Sequence, residues 1–198
     1  IILFLYLSLL FVSSWKQILR YVSTHIEENR KASVALNVPE SIVRRAKNDD
    51  IFYAMLGYVA GRESNGNIPF VSGLDVKCVS EDRLKSFCAA FGTSGSVPMC
   101  HIEGVTPESF SQQQCDESVT ITESMFREVW RNLNSKNDDD DEEENDGRVD
   151  LVALGNPHFS LTEMESLREL CEQKRVHKKV SFIVTTARDI LEATPDQT

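Results

Sequence analysis

Residues 149–186 read VDLVALGNPHFSLTEMESLRELCEQKRVHKKVSFIVTT, and this stretch decides the fold. Residues 149–154 form a short, nearly continuous apolar run, the pattern of a strand buried on both faces. Residues 155–160 (GNPHFS) read as a tight loop. Ser160 and Glu163 have capping-box spacing: the serine accepts from the third helical amide while the glutamate reaches back to the serine N–H. Met164, Leu167, Leu170 and Cys171 then follow helical spacing, to about Lys174. Residues 179–184 (KVSFIV) make a second strand, followed by Thr185, Thr186 and a helix from Ala187. Strand, helix and strand in this order predict a β-α-β unit with parallel strands and a right-handed crossover.

The same alternation runs back towards the start of the chain. Residues 32–37 (ASVALN) alternate and carry β-branched side chains, as a strand does. Residues 50–62 place Phe52, Leu56, Val59 and Ala60 at helical spacing. Residues 68–71 form a short apolar run before Ser72-Gly73. Ser80 suits the N-cap of a helix through Phe91, with Leu84, Phe87, Cys88 and Phe91 on one face and Gly92 and Gly95 ending it. Residues 97–102 read as the next strand, and 104–108 (GVTPE) as the turn leaving it. Thr122 opens a helix whose apolar stripe is Met125, Val129, Trp130 and Leu133. This order predicts an α/β fold with a parallel sheet and flanking helices, its strands side by side in one direction. The expected organisation is an apolar segment at 1–14, an α/β part at 15–133, an acidic insertion at 134–148, and a β-α-β continuation at 149–198.

The net charge of −10 is mostly local, since eight of the acids fall within 138–146. Like charges repel and nothing apolar is there to bury, so the insertion reads as a disordered surface loop. Its consecutive carboxylates lack the glycine and the alternating ligands of a calcium loop. With no basic excess, nucleic acid is not an expected partner. The cysteines (78, 88, 100, 115 and 171) form no CxxC pair, which points away from a zinc knuckle or a disulfide framework. They suggest a reduced, cytoplasmic chain with most thiols buried as packing residues. The opening run IILFLYLSLLFV (1–12) is shorter than the roughly 20 residues of a membrane span, and it lacks a basic flank and a small-residue cleavage pattern. A buried element, a misjoined sequence, a truncated signal or anchor, and a membrane segment all remain open for it.

In open parallel sheets, ligands sit beyond the carboxyl ends of the strands. Three loops qualify: 104–108, 155–160 and 185–188. The last two lead into helix N-termini, whose free amides favour anions. His101 and His158 are candidate acid–base groups there, the alternative for each being a structural imidazole bonded to backbone. Asn156, His158 and Ser160 are expected to face the pocket, with Ser94, Gly95, His101 and Thr106 beside them. Thr185, Thr186 and Arg188 would complete an anion site, the arginine meeting a carboxylate in a bidentate way. The two threonines also suit helix capping. There is no GxSxG, P-loop, GxGxxG or HExxH motif.

Five segments resemble the aconitase X family, in family order, over roughly residues 20 to 195. They are 25–39 (HIEENRKASVALNVP), 52–74 (FYAMLGYVAGRESNGNIPFVSGL), 91–109 (FGTSGSVPMCHIEGVTPES), 151–170 (LVALGNPHFSLTEMESLREL) and 184–188 (VTTAR). The resemblance implies an aconitase-like fold, here a partial domain. It also implies a dehydratase acting on a small hydroxy acid such as cis-3-hydroxy-L-proline or mevalonate 5-phosphate, and an iron–sulfur cluster held by cysteines. A small swivelling domain that supplies a serine would join in cis or in trans. Where the family has Gly-Cys-Pro-His, this sequence has Asn156, and an amide is a poor substitute for a thiolate ligand. Cluster retention is therefore in question, and a diverged, non-catalytic or misassembled fragment is the alternative reading.

Overall fold

The computed structural model describes residues 24, 26–46, 49–108, 111–134 and 149–193, without the side chains of Asn156 and Pro157. The apolar run 1–12, His25 and nearly all of the acidic insertion lie outside the described residues.

Strand β1 (Val34–Asn37) is the centre of the first sheet, and Val34, Ala35 and Leu36 are completely enclosed. Strands β2 (Pro69–Ser72) and β4 (Glu117–Thr120) flank it, and β3 (His101–Ile102) lies outside β2. All pairs are parallel, with Val34 opposite both Pro69 and Glu117. The expected strand at 97–102 is thus only two residues long. Pro98, which has no amide to donate, precedes it. The polar edge strand β4 (ESVT) has no apolar signature, and its sequence does not announce it.

The helices form where the apolar spacing places them. Asp49 caps α2 (Asp50–Glu63), accepting from the Ile51 amide at 3.0 Å, after the short α1 (Glu40–Arg45). Ser80 caps α3 (Glu81–Ser94), accepting from the Arg83 amide at 3.3 Å. Phe52, Leu56, Val59 and Ala60 of α2 meet Phe87 and Phe91 of α3 in the main core. Each such large side chain contributes about 1.5–3 kcal/mol by leaving water. Gly57 and Gly61, one turn apart, let the two helices touch backbone to backbone. A Cβ on Gly57 would lie 2.2 Å from the Phe87 carbonyl oxygen, and one on Gly61 2.1 Å from Ser94 Oγ. Gly92 does not stop α3; the helix runs to Ser94, with Gly95 as its C-cap. In α4 (Glu123–Asn134), Val129 is buried and Met125 and Phe126 touch the core. Trp130 and Leu133 are 52% and 59% exposed, so the lower half of the predicted stripe faces outward.

The last third folds as β5 (Leu151–Phe159), α5 (Leu161–Cys171), β6 (Ser181–Thr186) and a short α6 (Arg188–Ala193). Strands β5 and β6 are parallel, as the β-α-β pattern requires. They form a separate two-stranded sheet rather than extending the first. The α/β class holds, but the single continuous sheet does not. Polar contacts tie the two parts together: Lys85 of α3 pairs with Glu163 of α5, and Thr162 Oγ1 donates to Asp82 at 2.8 Å. None of the five cysteines is in a disulfide. Cys78, Cys100 and Cys115 are half-buried, Cys100 packing against the core, while Cys88 and Cys171 are exposed, so fewer thiols are packing residues than expected. No helix among the described residues is long and apolar enough to cross a membrane.

Candidate active site at the carboxyl ends of the strands

The predicted loop at 155–160 is a bulge carried within β5. Leu154 pairs with Val184 and Phe159 with Thr186, so residues 155–158 stand out opposite Thr185 alone. Gly155 starts the bulge with φ +96°, where a Cβ would lie 2.3 Å from the Thr185 carbonyl oxygen. Glycine is the side-chain-free residue that both constraints favour. The two threonines brace this bulge from the neighbouring strand: Thr185 Oγ1 donates to the Gly155 carbonyl at 2.5 Å, and Thr186 Oγ1 to the Phe159 carbonyl at 2.8 Å. They hold the loop in place. His158 is exposed on the bulge, and Asn156 lies within it.

Ser160 forms the predicted capping box. Its Oγ accepts from the Glu163 amide at 3.2 Å, and Glu163 Oε2 accepts from the Ser160 amide at 2.8 Å. The same carboxylate takes the Lys85 ammonium. Burial by itself lowers the Lys85 pKa, but bonds to Glu163 and Asp82 outweigh it and hold the ammonium above its ordinary value. Burial likewise raises Asp82, but bonds from Ser160, Thr162 and Lys85 prevail and hold it below the usual carboxylate range. Beside this cluster a cleft of ≈ 520 Å³ opens between the start of α3 and the α5 side of β5, lined by Asp82, Arg83, Leu154, Phe159, Thr162 and Leu167 among others. Arg188 is exposed at the first turn of α6, near the carboxyl end of β6.

The first sheet has its own polar rim. Ser72 Oγ donates to Asn37 Oδ1 and Asn37 Nδ2 to Ser118 Oγ, both at 2.8 Å, which links β2, β1 and β4. The strand order β3-β2-β1-β4 reverses direction between β1 and β4, the kind of switch point where α/β folds hold ligands. Sequence reasoning passed over Asn37, Ser72 and Ser118. The available signal was a polar residue closing an apolar strand, in VALN and again in PFVS. Thr106 closes the turn after β3, its Oγ1 accepting from the Ile102 amide at 3.0 Å.

Three nominated residues lie elsewhere. His101 is completely buried, with Nε2 2.6 Å from the Arg30 carbonyl oxygen and Nδ1 3.8 Å from a Glu108 carboxylate oxygen. This is the backbone-bonded arrangement that the sequence left open as the alternative for this histidine. Ser94 and Gly95 end α3, the crossover helix between β2 and β3. Such a helix runs against its strands, so its last turn sits at their amino ends, away from the rim. Ser94 Oγ donates back to the Ala90 carbonyl at 3.0 Å. Of the nominated set, therefore, 155–160 and 185–188 come together on the second sheet, Thr106 belongs to the first sheet, and His101, Ser94 and Gly95 serve packing.

Residues 32–131 match the aconitase X second domain, and residues 149–198 the aconitase X third domain. The chain belongs to the aconitase X family. It is 42% identical over 174 residues to a cis-3-hydroxy-L-proline dehydratase of Hypocrea jecorina and 38% identical over 173 residues to one of Pseudomonas aeruginosa. These alignments cover 85% and 84% of this chain but 28% of each dehydratase. It is 28% identical to a phosphomevalonate dehydratase large subunit of Methanocaldococcus jannaschii, over 79% of this chain and 38% of that subunit. Its fold is similar to the crystal structure of holo-form aconitase X from Thermococcus kodakaraensis, with TM-score 0.64 and 25% identity. That match covers 85% of this chain and 40% of the solved one.

The aconitase X resemblance implies an iron–sulfur cluster, and the residues described here do not fit one. Among them, no three His, Cys, Asp or Glu side chains gather as a metal cage. Clusters are held by thiolates, and the five cysteines do not gather into such a group among the described residues. Position 156 offers an amide.

Proposed function

We propose that this chain is part of a hydro-lyase that removes water from a small hydroxy acid, cis-3-hydroxy-L-proline being the favoured substrate and mevalonate 5-phosphate the second. The observation that carries this reading is the 42% identity to a cis-3-hydroxy-L-proline dehydratase across 174 residues. Dehydration requires a proton to leave carbon and a hydroxyl to depart as water, both steps served by a positioned acid–base group. In this reading His158, exposed on the braced bulge, is that group. The Arg188 guanidinium orients the substrate by a bidentate contact with its carboxylate. A further domain, in cis or in trans, completes the pocket, and the protein works in the cytoplasm. The test joins this chain to the residues of the Hypocrea jecorina dehydratase outside the match and follows loss of each substrate by NMR. Turnover of cis-3-hydroxy-L-proline that falls about 100-fold or more in His158→Asn supports the assignment, as expected for loss of general acid–base catalysis. Unchanged turnover in that variant removes His158 from it.

A second reading is favoured by Asn156: a diverged, non-catalytic relative that keeps the fold without the cluster. Anaerobic purification with iron and sulfide analysis separates the two. A colourless, iron-free and inactive assembly supports the second reading, and a coloured one in Asn156→Cys alone would locate the defect.

A further inference from the structure

The connection between α2 and β2 reads Ser64-Asn65-Gly66-Asn67-Ile68, and it holds the one Asn-Gly pair in the sequence. The turn is fixed at its base. Ser64 is completely buried, and its Oγ donates to the Gly61 carbonyl at 2.7 Å. The Asn67 amide donates back to the Ser64 carbonyl at 2.8 Å, and the Ile68 carbonyl accepts from the Ser33 amide at 3.0 Å. The apex is open. Asn65 and Gly66 are exposed, with φ +46° and +83°, the left-handed region that these two residue types tolerate best. Beyond its chain neighbours, no atom lies within 4 Å of where a Cβ on Gly66 would stand. Among the described residues, the Asn65 side-chain amide and the Gly66 N–H have no hydrogen-bond partner.

These features meet the needs of a particular reaction. An asparagine carboxamide is attacked by the backbone nitrogen of the residue after it, and that nitrogen must be unbonded and unshielded. A following glycine leaves it bare, whereas a β-branched side chain covers it. Asn37 is bonded to Ser72 and Ser118 and precedes Val38, and Asn67 precedes Ile68. Asn134 holds its side-chain nitrogen on the Trp130 carbonyl at 2.7 Å.

We infer that Asn65–Gly66 is a deamidation site, a reading independent of the function proposed above. The Gly66 nitrogen, its proton taken by solvent base, bonds to Asn65 Cγ. The Cγ–Nδ2 bond breaks, ammonia leaves, and a cyclic imide remains. Water adds to one imide carbonyl, and the ring C–N bond there breaks. Opening at Cγ gives aspartate; opening at the main-chain carbonyl gives isoaspartate. Water is the only co-reactant, and nothing is oxidised or reduced. Either product places a carboxylate next to the last turn of α2, which ends in Glu63, at the negative end of the helix dipole. Isoaspartate also adds a carbon to the main chain leading into β2, the strand whose Ser72 bonds Asn37 at the polar rim.

The test is incubation of the chain at physiological temperature in mildly alkaline buffer. Peptide mass spectrometry follows amide-to-acid conversion at each asparagine, and anion exchange follows the added charge. Because the apex is already open in the folded state, native Asn65 should convert within about tenfold of its rate in the urea-unfolded chain. A site reached only by global unfolding would be slowed about a thousandfold or more. Gly66→Ala should slow the conversion by shielding the nitrogen, and Asn65→Gln, which would need a larger ring, should nearly stop it. In the product, the amides of 69–72 should exchange faster than in Asn65→Asp, which adds the charge without the extra carbon. Native conversion suppressed as far as global unfolding requires, conversion no faster at Asn65 than at Asn67 and Asn134, or a rate indifferent to Gly66→Ala would overturn the inference.

Discussion

Replacing Gly57 by alanine tests the packing on which the first sheet depends. In a helix interior alanine is favoured over glycine by about 1 kcal/mol. Here the new Cβ would lie 2.2 Å from the Phe87 carbonyl oxygen, 2.9 Å from its carbon and 3.0 Å from its Cα. Ordinary contact begins at 3.4 Å, so α2 and α3 must separate by about 1 Å. All three atoms are backbone, so no rotamer change relieves the clash. Leu56, Val59, Ala60, Phe87 and Phe91 would all lose contact together. Overpacking of this kind costs about 1–3 kcal/mol, and the upper part of that range applies to backbone. After the helix-propensity gain, the net loss is about 1–2 kcal/mol. In urea this lowers the unfolding midpoint by roughly 0.5–1 M, measured by circular dichroism. Gly92→Ala is the control. That glycine is also helical, but nothing lies within 4 Å of its added Cβ, so it should raise the midpoint by the propensity term alone. A Gly57→Ala midpoint equal to or above wild type would refute the close-approach argument.

The Lys85–Glu163 pair joins the two sheets, and its side chains are 23% and 28% exposed. A double-mutant cycle with Lys85→Met and Glu163→Gln should give a coupling of about 0.5–1 kcal/mol in urea unfolding, shrinking as salt is added; zero coupling would mean the pair does not hold the sheets together. Cys100, its thiol pushed up to about 12 against an ordinary 9.0, holds about a thousandfold less thiolate than a free cysteine. At pH about 8, iodoacetamide should therefore label the exposed Cys171 well before Cys100, as read by peptide mass spectrometry. Because folding raises this pKa, the neutral thiol is the form the fold favours. Its stability contribution is intact below pH about 9 and is lost as pH climbs towards about 12, so the urea midpoint should fall over that window.

The sequence alone determined the local elements. Apolar spacing located α2, α3 and both strands of the last third, because burial of one face leaves a periodic trace. Ser80 and Ser160 marked helix starts because a free amide at a helix end needs a nearby oxygen. Gly155 and the two threonines were legible as a loop region, though not as a glycine-started bulge braced from the next strand. Tertiary structure decided the rest. Periodicity carries no information on which strand pairs with which, so the split into two sheets and the reversal between β1 and β4 were invisible. So was the polar link through Asn37, Ser72 and Ser118, whose members are 35 or more residues apart. A histidine next to a turn reads the same whether it faces a pocket or a backbone carbonyl. Only the fold brings the Arg30 carbonyl to the His101 ring. Exposure of Leu151 and Ile183 likewise depends on what lies across from them, and no residue along the strand records that.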